Sequence, residues 1–217
     1  MIVTKEILKR IIREELSAFV NEIEEEQYSE EGGQGLSHVI VQDKSNPPKS
    51  GDEVIDSLVT RVLGALSDKD LKPSFLRSRS PDCNPLTGHC FVASEAIWEL
   101  IKSLESEDYY YTPCHMRKVD FPEFGPHWFL KDYNTGHIID LSAGQFSSTP
   151  SYNDSKVRCD RKVDGEWRYA ATALMMHRPE KSDEYPSGHY PKGAKIDRHN
   201  LRPTSRTRNL LRRLEDK

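Results

Sequence analysis

The stretch from residue 85 to residue 141 constrains the fold most, because one helical pattern is followed at once by three short strand patterns. After the breaker Gly88, apolar residues recur at helical spacing as far as Leu104. Strand patterns follow in three segments, at residues 109–118, 127–133 and 137–141. A hairpin turn is predicted at 134–136, where Gly136 can take a positive φ without strain. We therefore predict an α+β domain in which one helix packs on a small antiparallel sheet.

Composition separates a folded region from polar flanks. Only 35% of the 217 residues are hydrophobic, which is low for a chain that is compact throughout. Segments rich in Glu, Gly, Ser and Pro flank the apolar patterns. The predicted organisation is an amphipathic helix at 1–25, a flexible linker at 26–52, the main domain at 53–178 and a basic, largely extended tail at 179–217. The arginine-rich end of that tail, at 201–217, is compatible with a short basic helix.

The first segment carries an apolar stripe at helical spacing over residues 4–24, which includes Ile7, Ile11, Leu16, Phe19 and Ile23. A single helix of this length is marginal on its own, so we expect it to dock on a surface. That surface is the chain's own domain, a second copy of the chain or another protein. The pattern resembles N-terminal segments of some tailed-phage proteins, which implies a phage protein in a bacterial host or a virion.

Charge and hydropathy exclude several classes of partner. The net charge of −4 gives no basic field, so we expect no nucleic-acid partner. No apolar run approaches the ~18 residues that span a bilayer, and the first residues do not form a signal peptide. A cytoplasmic protein without membrane contact is expected. Four cysteines are too few for a disulfide scaffold, which favours a reducing compartment.

Cys90, His127 and Asp140 form a candidate catalytic set. A free cysteine in a helix is most often a small buried hydrophobe, but Cys90 follows Gly88 and so lies in the first turn, where helix amides favour a thiolate. His127 comes directly after Gly125-Pro126 and stands at the mouth of a strand. Asp140 ends the next strand after two isoleucines, and burying it requires a partner. The predicted roles are nucleophile, base and orienting carboxylate.

The hairpin gives this hypothesis a geometric condition. Side chains alternate along a strand, so His127 and Asp140 share a face only if paired residue numbers sum to an odd value. An odd sum requires a loop with an even number of residues. The loops considered, 135–136 and 134–137, both make Asp140 a neighbour of Lys131.

These motifs resemble the transglutaminase-like core of the papain-like superfamily, over about residues 83–146. Gly-x-Cys opens a helix, His127-Trp128 begins a strand and Ile139-Asp140-Leu141-Ser142 ends the next. The run from Ile139 to Phe146 is also similar to an Asp-Leu-Thr-x-x-Gln-Phe pattern in small bacterial and phage proteins of YunG type. The chain departs from transglutaminases at Leu141, where Pro is usual, and at His89 beside the thiol.

The resemblance implies acyl transfer at an amide bond of a peptide or protein, with no cofactor. Its products depend on the acceptor, so a peptidase, an amidase, a deamidase and a transglutaminase-like enzyme all remain open. Asn84 stands six residues before Cys90, as the oxyanion glutamine of papain does, although an ordinary turn residue is an equal interpretation. Three neighbours are candidate substrate-binding residues: His89, Trp128 and Gln145.

Two other classes stay open. Zinc takes thiol and imidazole ligands, and the chain offers Cys83, His89, Cys90, Cys114 and His115. Their spacing fits no common zinc module, so no metal site is predicted from it. A papain-like fold without activity, serving as an interaction or virion component, is the other alternative. The N-terminal segment and the basic tail favour some protein partner.

Overall fold

The computed structural model describes residues 37–104, 109–132, 134–159, 161–163, 166–168 and 203–215, all within the unit Leu36–Lys217. The predicted N-terminal helix lies outside the described residues, as do the first part of the linker and most of the tail. The main chain of the described part is mixed α and β.

The elements follow one another from a first short strand to a C-terminal helix. The strands are β1 Val39–Ile40, β2 Tyr111–Met116, β3 His127–Asp132, β4 Ile138–Asp140, β5 Arg158–Cys159, β6 Arg161–Val163 and β7 Glu166–Arg168. The helices are α1 Glu53–Ala65, α2 Pro73–Ser78, α3 Cys90–Ser103 and α4 Ser205–Glu215.

Helix α1 follows from capping and periodicity. The Asp52 carboxylate accepts from the backbone N–H groups of Val54 and Ile55 at 2.8 and 3.1 Å, which satisfies two amides that have no partner inside the helix. Its buried side chains recur at helical spacing and face the core: Ile55, Leu58, Val59, Val62 and Leu63. The helix begins at the residue where the main domain was predicted to begin.

The main sheet has five strands in the order β1-β4-β3-β2-β5, and β6 and β7 form a separate pair. The prediction of a purely antiparallel sheet is wrong in one place, because β1 pairs with β4 in parallel. The linker predicted at 26–52 therefore contains a strand. Val39, Ile40 and Val41 are an apolar triplet in polar surroundings, too short to show an alternating pattern.

In the hairpin between β3 and β4, the paired residue numbers sum to an odd value, as predicted, but the register differs from the predicted one. Leu130 pairs with Ile139 and Lys131 with Ile138, so the sum is odd. The neighbour of Asp140 is therefore Phe129, and the predicted contact with Lys131 is wrong. Asp132 N–H donates to His137 O at 2.8 Å, which leaves residues 133–136 between them. Gly136 has a φ of 69°, as its place in the turn requires.

The two faces of the sheet carry separate apolar clusters. Helix α3 packs on the face that carries Trp128, Leu130 and Ile139. The other face belongs to a second cluster: Cys114, Met116, Phe121, Phe129, Ile138 and Tyr152. Because His127 and Asp140 alternate with Trp128 and Ile139, both project toward the second face.

The C-terminal segment is part of the core. Helix α4 contacts α1 and α3, and Thr207, Leu210 and Leu214 are buried. The Glu95 carboxylate of α3 accepts from the backbone N–H of Thr204 at 3.2 Å and from the hydroxyls of Thr204 and Thr207. The domain therefore extends past the predicted limits of 53 and 178, and residues 205–215 are not an extended tail.

Cys114 and Cys159 form a disulfide between β2 and β5, where they stand opposite each other in register. This pairing departs from the expectation of four reduced cysteines. No sequence pattern indicated this disulfide. The two cysteines are 45 residues apart, and β5, the strand that places Cys159, is only two residues long. Cys83 and Cys90 remain free thiols.

We expect strand β1 to be needed for folding. A chain of residues 53–217 loses Val39 and Val41, both fully buried, whereas a chain of residues 37–217 keeps them. Burial of two valines contributes about 3–6 kcal/mol, which is a large part of a small domain's stability. Urea unfolding should therefore be cooperative for 37–217 and strongly weakened for 53–217. Equal stability of the two chains would show that β1 is dispensable.

Candidate active site

The thiol of Cys90 lies at the start of α3, as predicted. Gly88 precedes it with a φ of 83°, and a Cβ there would meet the ring of Phe75 at 2.5 Å. Only glycine suits this backbone and this close approach. The turn brings Cys90 into the first helical position, where backbone amides have no intrahelical acceptor. Its Sγ lies 3.9 Å from the carbonyl oxygen of Pro126.

His127 and Asp140 form a buried pair on one face of the hairpin. His127 Nε2 lies 2.6 Å from Asp140 Oδ2, and neither side chain is exposed. A carboxylate acceptor at this distance fixes the hydrogen on Nε2. The other ring nitrogen, Nδ1, is left for the remaining partners of the ring.

The thiol and the imidazole lie near each other at the end of the sheet. Helix α3 covers the face opposite to the one that carries His127, so a mid-strand histidine would be separated from Cys90 by the strand itself. His127 is the first residue of β3, so the strand does not lie between its ring and Cys90. The Cys90 side chain accordingly lies near enough to the ring to raise its pKa.

The surroundings of His127 act on its pKa in opposite directions. Burial lowers the pKa of the ring, while the Asp140 carboxylate and the contact with Cys90 raise it, to about 10. A ring held protonated beside a sulfur atom stabilises negative charge on that sulfur. The arrangement therefore suits a thiolate–imidazolium pair.

Asp140 is held by more donors than His127 alone. Its Oδ1 accepts from the N–H of Ser142 at 2.9 Å and its hydroxyl at 3.3 Å, and its Oδ2 also accepts from the Tyr152 hydroxyl at 2.8 Å. Burial and the nearby carboxylate raise the pKa of Tyr152, so the phenol stays a donor. These contacts compensate the burial of a charge and keep Asp140 as an acceptor.

Ser142 and Tyr152 were not among the residues predicted for the site. Ser142 follows Asp140 by two positions, and an Asp-x-Ser sequence is a known signal for a local side-chain-to-backbone hydrogen bond. Tyr152 lies in a loop, twelve positions from Asp140. No sequence pattern indicates that its hydroxyl reaches the carboxylate.

Gln145 joins the site directly. Its Nε2 lies 3.2 Å from His127 Nδ1 and 3.3 Å from the hydroxyl oxygen of Ser142. Its Oε1 accepts from the backbone N–H of Gly88 at 3.3 Å. The side chain thus contacts the loop before the thiol, the imidazole and the loop after the carboxylate.

Asn84 is engaged elsewhere. Its Nδ2 donates to the backbone oxygen of Gln42 at 3.1 Å, and its Oδ1 accepts from Leu86 N–H at 2.8 Å. These are the contacts of a turn residue that ties two loops together. Gly144 lies at the same junction, and a Cβ there would come within 2.0 Å of Gln42 O. The structure does not bring the Asn84 amide to a hydrogen-bonding position on the triad.

His89 and Trp128 are packing residues in this structure. The His89 ring is buried with Nε2 3.1 Å from Ser67 O, and burial lowers the pKa of that ring. Trp128 is buried on the α3 face, stacked on His115 at 4.1 Å between ring centroids. Of the three predicted substrate-binding residues, Gln145 is the one that touches the triad.

The site is closed to solvent. Cys90 is 8% exposed, and His127 and Asp140 are fully buried. The ring of Phe146 stands edge-on against His127 at 4.7 Å, and Phe124 packs on Phe146 at 5.2 Å. Because so little of Cys90 is exposed, we expect side chains at this end of the sheet to move before an acyl group reaches the sulfur.

The donor atoms do not suggest a metal centre. Within the described ranges, no three His, Cys, Asp or Glu side chains are grouped to hold an ion. Cys114 is tied to Cys159 and offers no thiolate.

Comparisons with known protein families, curated proteins and solved structures find no match to this chain. The chemistry of the site is therefore inferred from its own geometry and from the residue patterns. In the part of the chain that the structure describes, no helix has the length and apolar character to cross a bilayer.

Proposed function

We propose that the protein is a thiol-dependent acyl-transfer enzyme that acts on amide bonds through Cys90, His127 and Asp140, on a papain-like core. One observation carries the proposal: Asp140 lies on His127 Nε2 at 2.6 Å, and the nearby Cys90 side chain raises the pKa of the same ring. A nucleophile, a base and an orienting group in contact are the signature of an activated thiol.

The proposed steps are those of an activated thiol. The Cys90 proton passes to His127 Nδ1, the sulfur attacks the amide carbon, and an S–C bond forms while the carbonyl oxygen takes the negative charge. The C–N bond then breaks, and the nitrogen leaves with the proton from Nδ1. Asp140 holds the imidazolium throughout. The resulting thioester is cleaved by water or by an amine, whose proton returns through His127 to the sulfur.

This chemistry needs no cofactor, and its substrate class is an amide of a peptide or protein. Water as acceptor gives a peptidase, an amidase or a deamidase, whereas an amine gives a transglutaminase-like reaction. Both use the same thioester. The acceptor depends on groups that enter the site once Phe146 and its neighbours move.

Acylation by p-nitrophenyl acetate tests the proposal without knowledge of the substrate. We expect a burst of nitrophenolate and one acetyl group on Cys90, located by peptide mass spectrometry. Cys90→Ala should abolish the burst, and His127→Ala should slow it by about a hundredfold or more. Cys83→Ala is the matched control, because Cys83 is the other free thiol and lies outside the triad. A burst that survives in Cys90→Ala would refute the proposal.

A second candidate is a papain-like module without activity that serves as an interaction or virion component. The complete burial of His127 and Asp140 is the observation that favours it. In that case Cys90 should show no burst and should react with electrophiles no faster than Cys83. The partner would then have to be sought on other surfaces of the chain.

A further inference from the structure

The carboxamide of Gln145 makes polar contacts in the site that a side chain with only a packing role would not need. Its oxygen accepts from a backbone N–H, that of Gly88, two residues before the thiol. Its nitrogen lies between His127 Nδ1 and the Ser142 hydroxyl. Gln145 is itself part-exposed, so a glutamine was not required here to fill the core.

A reacting amide needs contacts with the same two groups, although the Gln145 nitrogen can only donate to the ring, whereas a leaving nitrogen accepts a proton from it. Its carbonyl oxygen must lie on a backbone donor that can follow it as charge develops. Its nitrogen must lie against the imidazole nitrogen that will protonate it as it leaves. The Gln145 side chain is an amide, and it presents its oxygen and its nitrogen to partners of these two kinds.

We propose that the Gln145 carboxamide occupies the place of the substrate's reacting amide, and that the substrate displaces it. The proposal rests on the proposed acyl-transfer function. It assigns the N–H of Gly88 to the acyl oxygen, the role for which Asn84 was the sequence candidate. It assigns His127 Nδ1 to the leaving nitrogen. Gln145 is thus an internal competitor of the substrate.

The backbone around Gln145 is suited to such an exchange. Gly144 N–H donates to Val41 O at 2.9 Å, and the lack of room for a Cβ fixes this turn against the loop at Gln42. The following residues, Ser147 and Ser148, are exposed. Rotation of the Gln145 side chain therefore frees both contacts while the turn keeps its position.

Two thiol reagents separate this role from plain shielding. Iodoacetamide carries a carboxamide, whereas methyl methanethiosulfonate carries none. In Gln145→Ala, Cys90 should react with iodoacetamide about tenfold faster than in the wild type, because the side chain that competes with the reagent for these positions is gone. The rate with methyl methanethiosulfonate should rise much less. Gln145→Ser should act in the same direction.

The control is Gln42→Ala, which removes an exposed glutamine side chain outside the triad and should leave both rates unchanged. Equal acceleration by both reagents in Gln145→Ala would mean that Gln145 only shields the thiol, and would overturn the inference. So would unchanged rates in a protein whose Cys90 is acylated normally by p-nitrophenyl acetate, a result that leaves the proposed function intact. Inertness of Cys90 in every variant would remove both the proposed function and the inference.

Discussion

Asp140→Asn is expected to silence Cys90 while the fold is retained. The backbone N–H of Ser142 can only donate, so the asparagine oxygen takes the place of Oδ1 and the amide NH₂ takes the place of Oδ2. That NH₂ group then faces His127 Nε2, which must become an acceptor. The hydrogen moves to Nδ1, the nitrogen that should receive the thiol proton. Alkylation of Cys90 at neutral pH should slow by about tenfold or more.

The same substitution should change how stability depends on pH. Asp140 and the nearby Cys90 side chain together raise the pKa of His127 from its ordinary value of 6.5 to about 10, against the effect of burial. When the ring proton cannot come from the Cys90 thiol, as in Cys90→Ala, the folded state therefore holds a proton that the unfolded state releases above pH 6.5. This contribution is complete below pH 6.5 and is lost as the pH rises toward 10.

Urea unfolding at several values between pH 6 and pH 9.5 measures this contribution. In a Cys90→Ala background, the chain with Asp140 should exceed the chain with Asp140→Asn by a few kcal/mol at pH 6, and the difference should shrink as the pH rises. Asp154→Asn is the matched control, because Asp154 is a half-buried loop carboxylate outside the triad. A difference that stays constant with pH, together with an unchanged alkylation profile, would argue against any coupling of Asp140 to His127.

The sequence predicts the elements around the site because their signals are local. Helix α3 begins where Gly88 ends the preceding loop, and Gly136 marks the turn of the hairpin. The parity of that hairpin follows from the alternation of side chains along a strand. Together these signals bring His127 and Asp140 to one face, which was the geometric condition for a triad.

The register and the supporting contacts could not be predicted, because they depend on residues distant in sequence. Val41 N–H donates to Asp140 O at 2.8 Å, so a two-residue strand from the polar linker helps to hold the carboxylate. Tyr152 reaches Asp140 from a loop. The amide near the imidazole is that of Gln145, on a turn after the sheet, and Asn84 is engaged in a turn of its own.

The C-terminal helix shows why composition misled the domain limits. The segment is rich in arginine, and its charged side chains suggested an exposed tail. Three residues at helical spacing, Thr207, Leu210 and Leu214, are nevertheless buried against α1 and α3. Arg213 donates to the fully buried Asp70 carboxylate at 2.6 and 2.7 Å. The arginines therefore include a partner of a buried charge, which composition alone does not reveal.

Deletion of residues 203–217 is expected to abolish cooperative unfolding. It removes Leu210 and Leu214, whose burial contributes about 3–6 kcal/mol. It also leaves two buried carboxylates, Asp70 and Glu95, without their partners Arg213 and Thr207 from α4. A buried charge that loses its partner costs a further 3–5 kcal/mol or so. The sum is comparable to the whole stability of a small domain.

Glu95→Gln separates the two effects of this deletion, which are the loss of apolar burial and the loss of partners for the buried carboxylates. Burial raises the pKa of Glu95 to about 7 despite the threonine hydrogen bonds, so the folded state keeps a proton that the unfolded state releases from pH 4.5 upward. Stability therefore falls as the pH rises from 4.5 to 7, by on the order of 3 kcal/mol. In the full chain, Glu95→Gln should remove this fall.

In the chain that ends at residue 202, Glu95→Gln should restore part of the lost stability at pH 8, because a neutral amide without partners costs less to bury than a carboxylate. Far-ultraviolet circular dichroism during urea unfolding at pH 5 and pH 8 measures both effects. A truncated chain that unfolds as cooperatively as the full one would show that α4 is an appendage. Cys90 would then lie in a helix whose position does not depend on α4. If the deletion abolishes cooperative unfolding, two elements hold the helix that carries the thiol. Strand β1 holds it through the sheet, and α4 holds it through Glu95.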